Sequence, residues 1–133
     1  MRFDNIGTDK YVSLILRLGI AIVFLYFGIS QLITPEAFIG WLPDEIKLLP
    51  LSPRTFVVLN GGFEIFAASL LALGIYRRIT ALILGLHLLG ITFTIGFTEI
   101  GIRDLGLVIA TLTIVLISKD YYSLEEFLER HNF

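Results

Sequence analysis

The chain has 133 residues, 56% of them hydrophobic and 17% charged, with a net charge of −2 and a mean hydropathy of +0.84. This balance excludes an ordinary soluble domain and indicates an integral membrane protein, and the lack of a basic surface excludes nucleic acid as a partner. Cysteine is absent, which removes thiol exchange, disulfides, thiolate-held metals and cysteine-ligated iron–sulfur clusters from the available chemistry.

After a polar start, Met1 to Lys10, the first apolar run extends from about Tyr11 to Thr34. It is too long for the core of a signal peptide and no small-residue cleavage pattern follows it, so it is read as a retained span. Pro35 to Ser52 comes next, too short and too broken by Pro43 and Pro50 to cross a bilayer. Its Trp41, set among Glu36, Asp44, Glu45 and Lys47, suits a short helix or lid lying at the membrane surface, the plainer and preferred reading being an ordinary interfacial loop. The second span is placed at Pro53 to Ile75, the third at Arg78 to Phe97 after the tight Tyr76-Arg77-Arg78 connection, and the fourth at Ile102 to Ser118. Thr34-Pro35 and Ser52-Pro53 each set a capping hydroxyl before a proline, as a helix start requires. Ser123 and Glu126 form a capping box with Tyr122 and Phe127 as its hydrophobic staple, which predicts a surface helix from Leu124 to about Arg130. The fold expected is therefore all-α: a single membrane domain of four transmembrane helices, with a short interfacial segment between the first two spans and an amphipathic C-terminal helix.

Each span carries ionisable groups: Arg17, Glu64, His87 and the Arg103-Asp104 pair. A charge at membrane depth costs roughly 2.5 to 3.5 kcal/mol on insertion scales, so such residues face a bundle interior with partners. At about 1.5 Å per residue, Glu64 and His87 fall at similar depth. Asn60 lies four residues before Glu64 on the same face, while Gln31 closes the first span and Arg103 and Asp104 open the last at the outer level. Arg17 shares a face with Ala21, Phe24, Gly28 and Gln31 and is expected to reach toward the midplane as the electrostatic partner of Glu64. Together these residues predict a cavity open to the outer side. Gly61, Gly62, Ala67, Ala68, Gly85, Gly90, Gly96 and Gly106 are read as small residues that let membrane helices approach.

Basic residues near span ends set orientation. Arg2, Lys10, Arg77, Arg78, Lys119 and Arg130 lie on the side of both termini, against Lys47, Arg54 and Arg103 opposite, so the termini are expected in the cytoplasm.

A membrane-embedded carboxylate beside a histidine can relay protons, and a quinone takes up protons at its carbonyl oxygens when reduced. An apolar cleft with a few convergent polar groups would hold such a ring. Bis-histidine haem is disfavoured because His87 is the sole histidine in a span, His131 being in the tail. No Glu-x-x-His pair for a di-iron bundle, P-loop lysine or nucleophile elbow occurs.

The first span, L-R-L-G-I-A-I-V-F-L-Y-F-G-I-S-Q-L, resembles the opening pattern of the DoxX/DoxD family of small four-helix membrane proteins through Arg17, Phe24, Gly28 and Gln31, with Ala21 at a position where glycine is usual. The second, N-G-G-F-E-I-F-A-A-S-L-L-A-L-G-I-Y-R-R, is similar to the family's next segment through Gly61, Glu64, Gly74 and Arg78, with Ala68 at its middle glycine. Arg103-Asp104 resembles the pair that begins the last span in many relatives, and the likeness runs from about Leu14 to Ile117. It implies a four-helix bundle and, by association, a membrane subunit linked to respiratory or sulfur redox reactions, such as thiosulfate:quinone oxidoreduction with a second subunit.

The resulting expectation is a membrane subunit of an oxidoreductase system. Glu64 and His87 would handle protons or hydrogen-bond a quinone, with Arg17, Gln31, Asn60, Arg103 and Asp104 lining its site. The expected partners are the lipid bilayer, a redox subunit and, in a homo-oligomer, a second copy. The alternative is a non-enzymatic anchor or stabilising subunit whose polar network is purely structural. A proton or solute pathway is a third reading, opposed by the apolar cytoplasmic half.

Overall fold

The computed structural model describes residues 7–118 and 120–131, and every regular element among them is helical. Residues 1–6 and Lys119, which entered the charge comparison above, lie outside the described residues.

Helix α1 spans Asp9–Ile33, α2 Glu36–Ile39, α3 Pro53–Leu73, α4 Arg77–Ile95, α5 Glu99–Leu116 and α6 Leu124–Arg130, with a 3-10 turn at Asp44–Leu48. At 1.5 Å per residue α1, α3 and α4 measure about 38, 32 and 29 Å, against a hydrocarbon core of about 30 Å. These three are long and apolar enough to cross a membrane. Helix α5, expected at 102–118, begins three residues earlier and takes Glu99, Arg103 and Asp104 into its first two turns. The earlier start follows from Thr98, whose Oγ1 accepts the Gly101 N–H at 3.0 Å; threonine caps the helix there.

Ser52 Oγ accepts the Thr55 N–H at 3.1 Å ahead of Pro53, as the Ser-Pro pair predicts. Thr34 does otherwise, its hydroxyl donating back to the Ser30 carbonyl at 3.1 Å and so finishing α1 rather than starting α2. Gly74 ends α3 at φ +74°, its N–H on Leu71 O and the Ile75 N–H on Leu70 O, the paired closure that a left-handed residue permits. Ser123 caps α6 by accepting the Glu126 N–H at 3.0 Å. The staple partner Tyr122 instead stacks on Tyr11, ring centroids 5.3 Å apart, which ties the tail to the start of α1.

The four long helices form two tight pairs, α1 with α3 and α4 with α5, and the pairs touch each other sparsely. Glycine explains both tight crossings. A Cβ on Gly61 would stand 2.7 Å from Gly28 O, and one on Gly28 2.9 Å from Gly61 O, so α1 and α3 meet backbone to backbone. On the other pair, Gly85 accepts the Leu112 side chain. Between the pairs, Ile20, Ala21, Ala68, Leu71, Ala81, Leu84 and Ile114 are buried and fill the half of the bundle nearest the start of α1.

Candidate functional site

Two polar clusters lie between the helix pairs, at different depths. The deeper into α3 from its N-terminus is the lower one, where Asp120, Ser13, Arg17 and Arg77 converge. Arg17 is fully buried. Its Nη1 donates to the carbonyls of Leu71 at 2.9 Å and Ala72 at 2.7 Å, and its Nη2 donates to Asp120 Oδ1 at 3.3 Å and Tyr122 O at 3.2 Å. Arg17 Nε stands 2.6 Å from Asp120 Oδ2 without hydrogen-bond geometry, so that contact is ionic. Arg77 lies 3.4 Å from the same oxygen and donates to Ile114 O and Ile117 O, while the Ser13 hydroxyl donates to Asp120 at 2.8 Å.

Two guanidiniums thus share one carboxylate, and the remaining positive charge faces the carbonyls at the C-terminal ends of α3 and α5. Arg17 is therefore not the partner of Glu64. Its depth on α1 matches the C-terminal end of the antiparallel α3, where the helix-end carbonyls and an aspartate offer nearer acceptors than the midplane does. Asp120 was not singled out by the sequence reading. The available signal was an acid just beyond an apolar helix, at the end of the bundle where Arg17 and Arg77 both need an anion.

The upper cluster brings Gln31, Asn60, Glu64 and His87 together. Glu64, its side chain 4% exposed, accepts from Gln31 Nε2 at 2.9 Å, from Asn60 Nδ2 at 3.1 Å and meets His87 Nε2 at 3.2 Å. Asn60 Nδ2 also donates to Gln31 Oε1 at 2.7 Å, closing a ring of amide and carboxylate. Asn60 and Glu64 reach the cluster by their four-residue spacing on α3. Gln31 reaches it because the Gly28–Gly61 crossing brings α1 against α3 one turn away. Phe63 sets its ring across the His87 imidazole, centroids 5.0 Å apart. The contacts of Asn60 and His87 with described residues run through Nδ2 and Nε2.

This cluster forms one wall of a cavity of about 610 Å³ between the helix pairs, a volume suited to a small molecule. Gln31, Asn60, Glu64 and His87 supply polar groups to an otherwise largely apolar lining that includes Phe24, Phe27 and Val57. Arg103 and Asp104 line the same space. Arg103 donates to Asp104 Oδ1 through Nε at 3.2 Å and Nη2 at 3.1 Å, with its side chain 59% exposed and that of Asp104 10%. Phe38, Trp41, Leu42, Pro43 and Ile46 of the connection after α1 also line it.

One ion pair holds that connection to α3: Arg54 Nε donates to Glu36 Oε1 at 2.9 Å. The Arg54 guanidinium lowers the Glu36 pKa below the usual glutamate range. A depressed carboxylate pKa gives stabilisation that is present above the unfolded value and lost as pH falls through the folded one. Acidification below the ordinary glutamate range is therefore expected to release this contact. Trp41, the single tryptophan, reports it: acrylamide quenching should rise with acid in wild type. In Glu36→Gln quenching should already be high at neutral pH; an unchanged acid transition in that variant would assign the transition elsewhere.

A model of the DoxX family matches residues 12–96, from the first turn of α1 through the end of α4. The match contains Arg17, Gln31, Asn60, Glu64 and His87 and stops before α5, so Arg103 and Asp104 lie outside it. No curated protein and no solved structure gives a significant match. With a family match over more than half of its length and three helices apolar and long enough to cross a bilayer, the chain belongs to the DoxX family of integral membrane proteins.

Proposed function

We propose that the protein is the membrane subunit of an oxidoreductase system and binds a quinone, or a similar ring-bearing lipid-like redox molecule, in the cavity between the two helix pairs. The observation that carries this reading is the union of a cavity of about 610 Å³, largely apolar, with a hydrogen-bonded carboxylate–imidazole pair in its wall. A quinone supplies two-electron chemistry with proton uptake at its ring oxygens. His87 and Glu64 hold and pass a proton at the Nε2–Oε1 contact, Asn60 and Gln31 fix the carboxylate, and Arg103 and Asp104 line the entrance. Electrons come from a partner subunit, because the sequence holds no cysteine and a single histidine within the spans. We read α5 as the fourth crossing, since it packs closely along α4, and the more basic side with the termini as cytoplasmic.

A structural reading has its own support: Glu64 is already satisfied by three neighbouring groups, as expected of a network that only holds helices together. Titration of the purified protein with a short-chain quinone separates the two. The functional reading expects saturable binding in wild type, weakened at least about tenfold (about 1.4 kcal/mol) in Glu64→Gln and His87→Ala, with little change in melting temperature. No binding in wild type, together with a large loss of thermal stability in both variants, would establish the structural role instead.

A further inference from the structure

The cavity needs an entrance that a lipid-soluble molecule can use, and the helix packing differs around its perimeter. The α1–α3 and α4–α5 crossings are tight, whereas α3 with α4 and α1 with α5 touch sparsely; of these two seams, α3–α4 carries a glycine that lines the cavity with open space beside it. On the α4 side of that seam, Leu86, Gly90 and Thr94 repeat at four-residue spacing, all three exposed and all three lining the cavity. On the α3 side the lining residues Phe56, Asn60 and Glu64 repeat with the same spacing. Gly90 is the middle member of the α4 row, about one turn beyond His87. A Cβ built on it meets nothing within 4 Å, unlike the Cβ positions of Gly28, Gly61 and Gly85, each of which is closed off by a neighbouring helix. Packing therefore does not require glycine at 90; a bulky side chain there would occupy the open wall.

We propose that the α3–α4 seam at Gly90 is the lateral portal through which the apolar tail of the bound molecule leaves the cavity for the bilayer. The inference rests on the quinone-like reading above and specifies its ligand further: a polar ring seated at Glu64 and His87, with a flexible hydrocarbon tail attached. The geometry is continuous from ring site to lipid. Asn60 and Glu64 line both the polar cluster and the seam, and beyond Gly90 the tail passes between the exposed side chains of Leu86 and Thr94. A tail in this position is flanked by Phe56 and Leu86, apolar groups that exclude water from it. A small head without a tail has no contact with the portal and is indifferent to residue 90.

Binding of two probes to the full chain in lipid nanodiscs tests this: duroquinone, which has no tail, and a benzoquinone carrying a decyl tail. The absence of cysteine removes thiol addition as a side reaction. Gly90→Leu is expected to weaken binding of the decyl compound at least about tenfold while duroquinone changes by less than about threefold. Gly62→Leu is the control, because Gly62 is also exposed with open space beside it but does not line the cavity; it should leave both affinities unchanged. Thr94→Phe repeats the test on the same seam if Gly90→Leu does not fold. Equal losses for the two probes, or no loss for either, would overturn the portal. So would a tail-dependent loss on Phe27→Trp in place of Gly90→Leu, which would put the exit on the opposite side of the cavity. Failure of wild type to bind either quinone would overturn the quinone-like reading itself, a result distinct from all of these.

Discussion

Asp120→Ala is expected to lower the stability of the protein by about 3–5 kcal/mol, the range for removing one partner of a buried ion pair. The carboxylate is 3% exposed and lies against Arg17, itself at 0%, and Arg77 at 10%. Its loss leaves two guanidiniums close together with only helix-end carbonyls as acceptors. It also loosens the segment after α5, because Ser13 and Arg17 on α1 both hold Asp120, leaving the Arg17 contact to the Tyr122 carbonyl and the Tyr11–Tyr122 stack to keep the segment in place. Thermal unfolding in detergent micelles measures the effect. Adding Arg17→Met to Asp120→Ala should recover part of the loss, since the fully buried cation is then gone, although the Ala72 carbonyl loses its side-chain donor and that of Leu71 keeps only the Gly74 N–H. An Asp120→Ala variant as stable as wild type would show that the carbonyls alone neutralise both arginines.

Gly61→Val is the second large effect, and it connects the fold to the site. A Cβ at position 61 would stand 2.7 Å from Gly28 O and 2.9 Å from Gln31 Cβ. The first of these neighbours is backbone and cannot rotate away, so α1 and α3 must separate. Overpacking of this kind costs about 1–3 kcal/mol. The separation also withdraws Gln31, which donates to Glu64 at 2.9 Å and accepts from Asn60 at 2.7 Å. Quinone binding should therefore fall together with melting temperature in Gly61→Val, whereas Glu64→Gln should lower binding alone. Gly62→Ala, one residue along with open space beside it, should change neither. A Gly61→Val protein of wild-type stability would contradict the backbone-to-backbone crossing.

The contrast between these glycines marks the limit of what spacing can reveal. Gly61, Gly62, Gly85 and Gly90 all read from the sequence as packing residues. Gly61 and Gly85 sit at helix crossings, while Gly62 and Gly90 face open space. Helical periodicity gives the direction of a residue around its own axis, but the identity of the neighbour in that direction depends on how the helices pair. Arg17 makes the same point with charge. Its face on α1 was readable, since Arg17, Ala21, Phe24, Gly28 and Gln31 are all buried, yet its partner lies 103 residues away at Asp120 rather than at Glu64. A guanidinium takes the closest strong acceptors at its own depth, and the carbonyls ending α3 come to that depth only once the antiparallel pair has formed.

The sequence alone determined that the chain is helical and embedded in a membrane, because apolar runs of bilayer length admit no other solution for the backbone's hydrogen bonds. It also determined that Asn60 and Glu64 project together, since a four-residue step along a helix is local geometry. Tertiary structure decided which polar residues share a pocket. Gln31 and His87 meet Glu64 because glycine brings α1 onto α3 and because α3 and α4 touch only sparsely, beside a cavity. Those distances are set by contacts between helices far apart in the chain, about which a one-dimensional pattern carries no information.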